Sequence, residues 1–178
     1  MGEEISSKLG DEKLKPGDQR LELLRNTSIF GATTPKALEL LLQRAHTRLV
    51  PKGDYFFHEG EEGTSIFVLE RGRVSILKRW QDEEYMIRTL VAGDFFGEIS
   101  VLDLLPRSAS VVAEEDCEAI EFRAMDVLAI AHHDLEQFTM IYMNIARELG
   151  RRLRQGNELL FESKIRYENI PEGFAYII

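Results

Sequence analysis

The chain has 178 residues, 44% of them hydrophobic, with 31 acidic residues against 22 basic and a net charge of −9. That length suits one domain with a helical extension, and the apolar fraction excludes wholesale disorder. The acidity argues against a DNA partner, because phosphate contacts need Lys and Arg; the lone Cys117 excludes an intrachain disulfide and a cysteine-based zinc cluster.

Residues 1–19 are polar and broken by Gly10, Pro16 and Gly17, and read as a mobile arm. No h-region of a signal peptide opens the chain and no apolar run reaches spanning length, so the expectation is a cytoplasmic protein with no membrane partner. Met1 to Ser6 fits the loose myristoylation pattern, a short match weakened by two acidic residues directly after Gly2. A helical pattern starts at Arg20 and stops at Phe30-Gly31. Thr34 suits an N-cap and Pro35 a first helical position, so a helix is expected over 35–46.

From Thr47 to Arg123 the texture changes to short runs rich in Val, Ile, Phe and Thr. The runs are 48–50, 55–58, 64–70, 73–79, 85–91, 108–113 and 117–123. Glycines at 53, 60, 63, 72, 93 and 97 fall between them, the punctuation of a small β-barrel or roll. A short helix over 125–132 should follow, then a long one over 134–163 begun by Asp134. Leu135, Phe138, Tyr142, Ile145, Leu149, Leu153 and Leu160 form its apolar stripe, suited to packing on the roll or to a seam with a second chain. Gly150 and Gly156 are two soft points in it, each costing about 1 kcal/mol relative to Ala. Arg147, Arg151, Arg152 and Arg154 read as a solvated face. Residues 164–178 form an apolar tail with Tyr167, Phe174 and Tyr176, a candidate lid.

The chemistry concentrates between two strands, in Gly93-Asp94-Phe95-Phe96-Gly97-Glu98-Ile99-Ser100 and onward through Pro106-Arg107-Ser108-Ala109. Gly97 lets backbone approach a ligand. A helical turn begun by Ile99 and Ser100 aims free N–H groups at an anion, and Arg107 offers a rigid fork that suits a phosphate. Glu98 beside a phosphate is repulsive unless it accepts from a neutral donor such as a sugar hydroxyl. Anion plus hydroxyl describes a ribose phosphate. The plainer alternative is a loop ion pair between Glu98 and Arg107. His132-His133-Asp134 reads as a helix end rather than a metal site. Ser108 and Ser110 have no His and Asp partners for a hydrolase triad.

Phe-Gly-Glu-Ile-Ser followed by Pro-Arg-Ser-Ala-Ser resembles the phosphate-binding cassette of the cyclic-nucleotide-binding domain family, which includes the catabolite activator protein and the regulatory subunits of cAMP-dependent protein kinase. Pro51-Lys52-Gly53-Asp54, the segment from Phe57 to Gly63, and that from Ile66 to Gly72 are similar too, and the likeness covers about residues 20–163.

The resemblance implies a mainly β fold with flanking helices: a double-stranded β-helix, or jelly-roll-like β-roll, over 20–133. It implies a sensor rather than an enzyme, with no catalytic cofactor and no metal. The ligand would be cAMP, with cGMP less favoured. Glu98 would accept the ribose hydroxyl, Gly97 would admit the sugar, and Arg107 would pair with the phosphate. Ser108 and the Ala109 N–H would complete the cradle, with Pro106 fixing its entry. Val74 and Leu90 would wall the base. Base-reading positions on the long helix fall at Gly156, which has no side chain, and Asn157, which can donate and accept.

The expected output is a switch of the long helix, toward an unidentified protein partner or within a homodimer joined through that helix. Activator-like relatives carry a DNA-binding unit after this helix, and residues 164–178 are too few for one. A truncated activator-type regulator, and a family fold acting only as a protein-interaction module, are the alternatives.

Overall fold

The computed structural model describes residues 16–166. Helix α1 (Pro16–Asn26) starts four residues before the expected Arg20, because Pro16 fits a helix start, where no N–H is needed. A 3-10 turn (Ser28–Phe30) leads to α2 (Pro35–Leu42), where the Thr34 hydroxyl accepts from Ala37 N as the sequence suggested. This helix stops short of 46, since His46 already pairs in the first strand.

Eight antiparallel strands follow among the described residues. They are β1 (His46–Val50), β2 (Tyr55–Phe57), β3 (Ser65–Arg71), β4 (Arg73–Trp80), β5 (Glu83–Val91), β6 (Phe95–Phe96), β7 (Ser110–Ala113) and β8 (Cys117–Arg123). They form two four-stranded sheets, β1-β8-β3-β6 and β2-β7-β4-β5. Non-consecutive neighbours in both sheets make the arrangement a roll, as expected. Sequence reading missed β6, two residues inside the cassette that pair with Phe67 and Val68.

Strand β3 is the hinge of the packing. Its alternate side chains serve two cores, because successive residues of a strand point to opposite faces. Phe67 and Leu69 face the space between the sheets, with Phe57, Val74, Leu90, Phe96, Val111 and Ala119. Ile66 and Val68 face the helices, with Leu24, Phe30, Leu38, Phe122, Ile130, Ile141 and Ile145. Cys117 is buried in the first core.

Helix α3 (Glu98–Asp103) lies within the cassette, and α4 (Ala124–His133) and α5 (Leu135–Arg166) are the last of the described elements. Asp134 accepts from Gln137 N at 3.1 Å, capping α5. Helix α5 runs unbroken through Gly150 and Gly156, and extends past the expected end at 163. Its first half is tied to the N-terminal segment by buried amides: Asn144 donates to Gly31 O at 2.7 Å, and Gln137 accepts from Thr34 N at 2.7 Å. Arg20 of α1 makes a two-pronged pair with Glu70 at the end of β3. The expected arm before Pro16 and the tail after Arg166, with its candidate lid, lie outside the described residues.

Candidate ligand site

Strands β4, β5 and β7, the cassette and α5 enclose a cavity of about 560 Å³. Its floor is set by Gly97, which caps α3 at φ +81°. A Cβ there would stand 2.8 Å from Arg107 Nη1 and 2.9 Å from Ser65 O, so this position is left to glycine on two grounds: its backbone angle and its surroundings.

Arg107 is 6% exposed. Its Nη1 donates to Ser65 O at 2.9 Å, Gly97 O at 2.7 Å and Ser100 Oγ at 2.8 Å. The guanidinium lies over the Phe57 ring, 4.1 Å from its centroid, a cation–π contact strengthened by desolvation. Its Nε has no hydrogen-bond partner among the described residues. The backbone is clamped to the preceding turn: Arg107 N donates to Glu61 O, and Gly60 N donates to Arg107 O. Burial pulls the guanidinium below its ordinary pKa, opposed by the charges of Glu121, Glu61 and Glu98. A buried cation with donors to spare is a site for an anion. Gly63 makes room for it, since a Cβ there would fall on Arg107 itself.

Glu98 is 2% exposed and does not pair with Arg107. Arg152 of α5 holds it, Nη1 to Oε1 at 2.7 Å. The same guanidinium donates to Phe95 O at 3.3 Å and to Glu148 at 3.0 Å, and lies 4.5 Å from the Phe95 ring centroid. Burial pushes the Glu98 carboxyl above the usual carboxylate range; Arg152 opposes that rise without cancelling it. The plain reading of Glu98 and Arg107 as a loop ion pair is therefore corrected, as is Arg152 as part of a solvated face.

Of the expected residues, Gly97, Glu98, Ile99, Ser100, Arg107, Ser108, Ala109 and Leu90 line the cavity. Three do not. Val74 is fully buried between the sheets, paired with Leu90 and Ala113 in register, and its side chain belongs to the core. Pro106 is exposed beside Arg107. Asn157 is exposed on α5, because the face turned to the cavity is Arg152, Gln155, Gly156 and Leu159, at helical spacing. Sequence reasoning missed these, except Gly156, and also Ile76, Ile87 and Arg88 on β4 and β5. Strand β5 pairs with β4 in a register that slips at Ile87, between the pairs Ile76–Arg88 and Leu77–Met86, which puts two successive residues on the wall, so alternation along β5 carried no signal for them. Among the described residues no group of three His, Cys, Asp or Glu side chains is placed to hold a metal ion.

Residues 47–134 match the family model of the cyclic nucleotide-binding domain. This segment belongs to that family. The cyclic nucleotide-binding domain and its flanking helices are 30% identical over 135 residues to the cyclic AMP receptor protein of Thermus thermophilus, covering 75% of this chain and 61% of that one. They are 28% identical over 137 residues to human cGMP-dependent protein kinase 2, covering 74% of this chain and 18% of the kinase. The chain thus spans less than two thirds of the length of either relative. The crystal structure of the Thermus thermophilus catabolite activator protein superposes with a TM-score of 0.67 at 32% identity, covering 76% of this chain and 63% of that chain. The domain's fold is therefore that of a cyclic-nucleotide-binding regulatory module.

Proposed function

We propose that the cavity takes a 3′,5′-cyclic purine nucleotide and that the chain is a sensor whose readout is helix α5. The observation that carries this reading is Arg107: a buried guanidinium on the cavity wall, with Nε unpartnered and every one of its own hydrogen bonds made through Nη1. The phosphate pairs with this fork, and Ser108 and Ala109 stand next to it on the same wall. The sugar hydroxyl donates to Glu98. The names of the relatives, a cyclic AMP receptor and a cGMP-dependent kinase, support the ligand class.

Coupling follows from Arg152. Glu98 is the atom set for which both α5 and the sugar compete, so a bound nucleotide redistributes the Arg152–Glu98 pair and changes what holds α5 against the cassette. A ligand shifts such an equilibrium only by its difference in affinity for the two positions. The output passes through α5 to a second copy of the chain or to a protein partner. The described residues that line the cavity supply donors and apolar surface for a ligand, which supports a binding role.

Calorimetric titration with cAMP and cGMP tests it. Saturable binding is expected, weakened about 10- to 100-fold by Arg107→Ala, the scale of hydrogen bonds to a charged group. Arg107 also binds three groups of its own fold, so Arg107→Lys, which keeps the charge without the fork, accompanies it with a thermal melt of each variant. No heat from either nucleotide on folded wild-type protein overturns the proposal.

A further inference from the structure

Lys78 on β4 is half-exposed and lies outside the cavity wall, yet it is tied to the segment that carries Arg107. Its Nζ donates to Glu59 Oε1 at 2.6 Å and to Ser108 O at 2.8 Å. The other Glu59 oxygen accepts from Arg79 N at 3.0 Å, and Glu59 N donates to Ser110 Oγ at 2.9 Å. Lys78 thus crosses the junction between residues 59–61 and 107–110, where Arg107 N also donates to Glu61 O and Gly60 N to Arg107 O. The Lys78 hydrogen bond, and after it the Arg79 N–H, hold the Glu59 carboxyl below the usual carboxylate range, so Glu59 is ionised at neutral pH.

Ser108 O and Ala109 N belong to one peptide unit. In a planar trans unit the C=O and the N–H point in opposite directions. With Ser108 O turned outward to Lys78, the Ala109 N–H is turned the other way. Ala109 lines the cavity and is buried, and its N–H has no acceptor among the described residues. A buried backbone N–H without a partner is uncommon, and this one stands beside the Arg107 fork. The cation at the oxygen end polarises the whole unit and makes its N–H a stronger donor, as each member of a chain of hydrogen bonds does for the next. Lys78 also neutralises Glu59, whose charge would otherwise repel an anion held at Arg107.

Resting on the nucleotide reading above, we infer that Lys78 is a positioning residue for the phosphate: from outside the cavity it fixes and polarises the Ser108–Ala109 amide, whose N–H donates to one exocyclic phosphate oxygen. Arg107 meets the phosphate directly, whereas Lys78 acts through the amide and does not touch the ligand.

The test is titration of the full chain, as wild type, Lys78→Met, Lys78→Arg and Glu59→Gln, with cAMP and cGMP and with the two phosphorothioate diastereomers of each, in which sulfur replaces one or the other exocyclic oxygen. Lys78→Met keeps the length of the side chain and should weaken the parent nucleotide about tenfold, the scale of one hydrogen bond to a charged group. Lys78→Arg restores charge and donors and should recover most of that loss. Glu59→Gln removes a negative charge and should bind at least as tightly as wild type. Sulfur is a weak acceptor, so the diastereomer with sulfur at the Ala109 N–H has already lost that bond. Lys78→Met should therefore weaken it less than the other diastereomer, changing their affinity ratio by about threefold or more, as in a double-mutant cycle. Two results would overturn the inference while wild-type binding keeps the nucleotide reading intact: Lys78→Met leaving that ratio unchanged, or Glu59→Gln weakening binding as much as Lys78→Met does, the mark of an ion pair that only supports the fold. Absence of binding by every nucleotide to wild type would instead sink the reading on which the inference rests.

Discussion

Glu98 and Arg152 form a buried ion pair whose balance is set by solvation. A carboxylate taken out of water costs more than a single cation returns unless the geometry is very good, and here the net effect is a carboxyl raised above its ordinary range. The folded chain therefore holds a proton on Glu98 at pH values where the unfolded chain has released it. Between the ordinary carboxylate value and the raised one, the folded state binds more protons, so this group's contribution to stability falls as pH rises. Below that window the contribution is fully present; above it, it is lost. Glu98→Gln removes the titration while leaving Arg152 its bonds to Glu148 and Phe95 O. The melting temperature of the variant minus that of wild type should rise with pH across the window and level off beyond it. Taking the difference cancels titrating groups remote from the site; Glu148, which shares Arg152 with Glu98 and has a lowered pKa, gives the opposite slope. A difference that stays flat from pH 5 to 9 would mean that Arg152 keeps Glu98 ionised throughout.

At the scale of elements, the strands and helices were legible because glycines and β-branched runs punctuate the chain, while the faces they turn inward were legible only in part. Local pattern identifies α5, yet four arginines along it look alike until packing sends Arg152 into the cavity wall and leaves Arg154 in solvent. The bulge at Ile87 is a matter of pairing between strands, so no reading of β5 alone finds it. Val74 was expected on the wall only through the family resemblance, but its side chain is packed between the sheets. Helix α3 carries one cost that is visible only in the backbone. Leu104, which ends it, has φ +59° and is 85% exposed. A left-handed non-glycine residue costs about 1–2 kcal/mol, and its side chain regains almost nothing by burial. Glycine gives back part of that gain through unfolded-state entropy. Leu104→Gly should stabilise the chain by roughly 0.5–1 kcal/mol, or about 2 °C in Tm for a chain of this size, with an unchanged urea m-value. A lower Tm would show that Leu104 makes a contact that its exposure hides.

Across the whole molecule, α5 divides in two. Its first half is spent on the fold, with Ile141 and Ile145 fully buried and Asn144 bonded to the N-terminal segment. Its second half carries Leu153, Leu160, Phe161 and Ile165 at 60–68% exposure, an apolar surface larger than scattered exposed residues produce. On the solvent side, Met143, Ala146, Gly150, Leu153, Asn157 and Leu160 recur at steps of three and four, the spacing of a two-helix seam. Ala146 and Gly150 let two helices approach closely, and a Cβ on Gly150 would meet nothing within 4 Å. Asn157, which does not reach the cavity, sits within this stripe, where one polar residue fixes register and favours two strands. Fully burying a leucine contributes about 1.5–3 kcal/mol, and Leu153 and Leu160 count twice in a symmetric pair. The full chain should therefore sediment as a dimer at micromolar concentration. Leu153→Glu with Leu160→Glu should weaken association at least about a hundredfold without lowering the Tm of dilute, monomeric protein, because neither side chain contributes to the core. Asn157→Leu should tighten association and broaden the distribution of oligomers. A wild-type chain that stays monomeric at high concentration would overturn the seam between two copies that this spacing predicts.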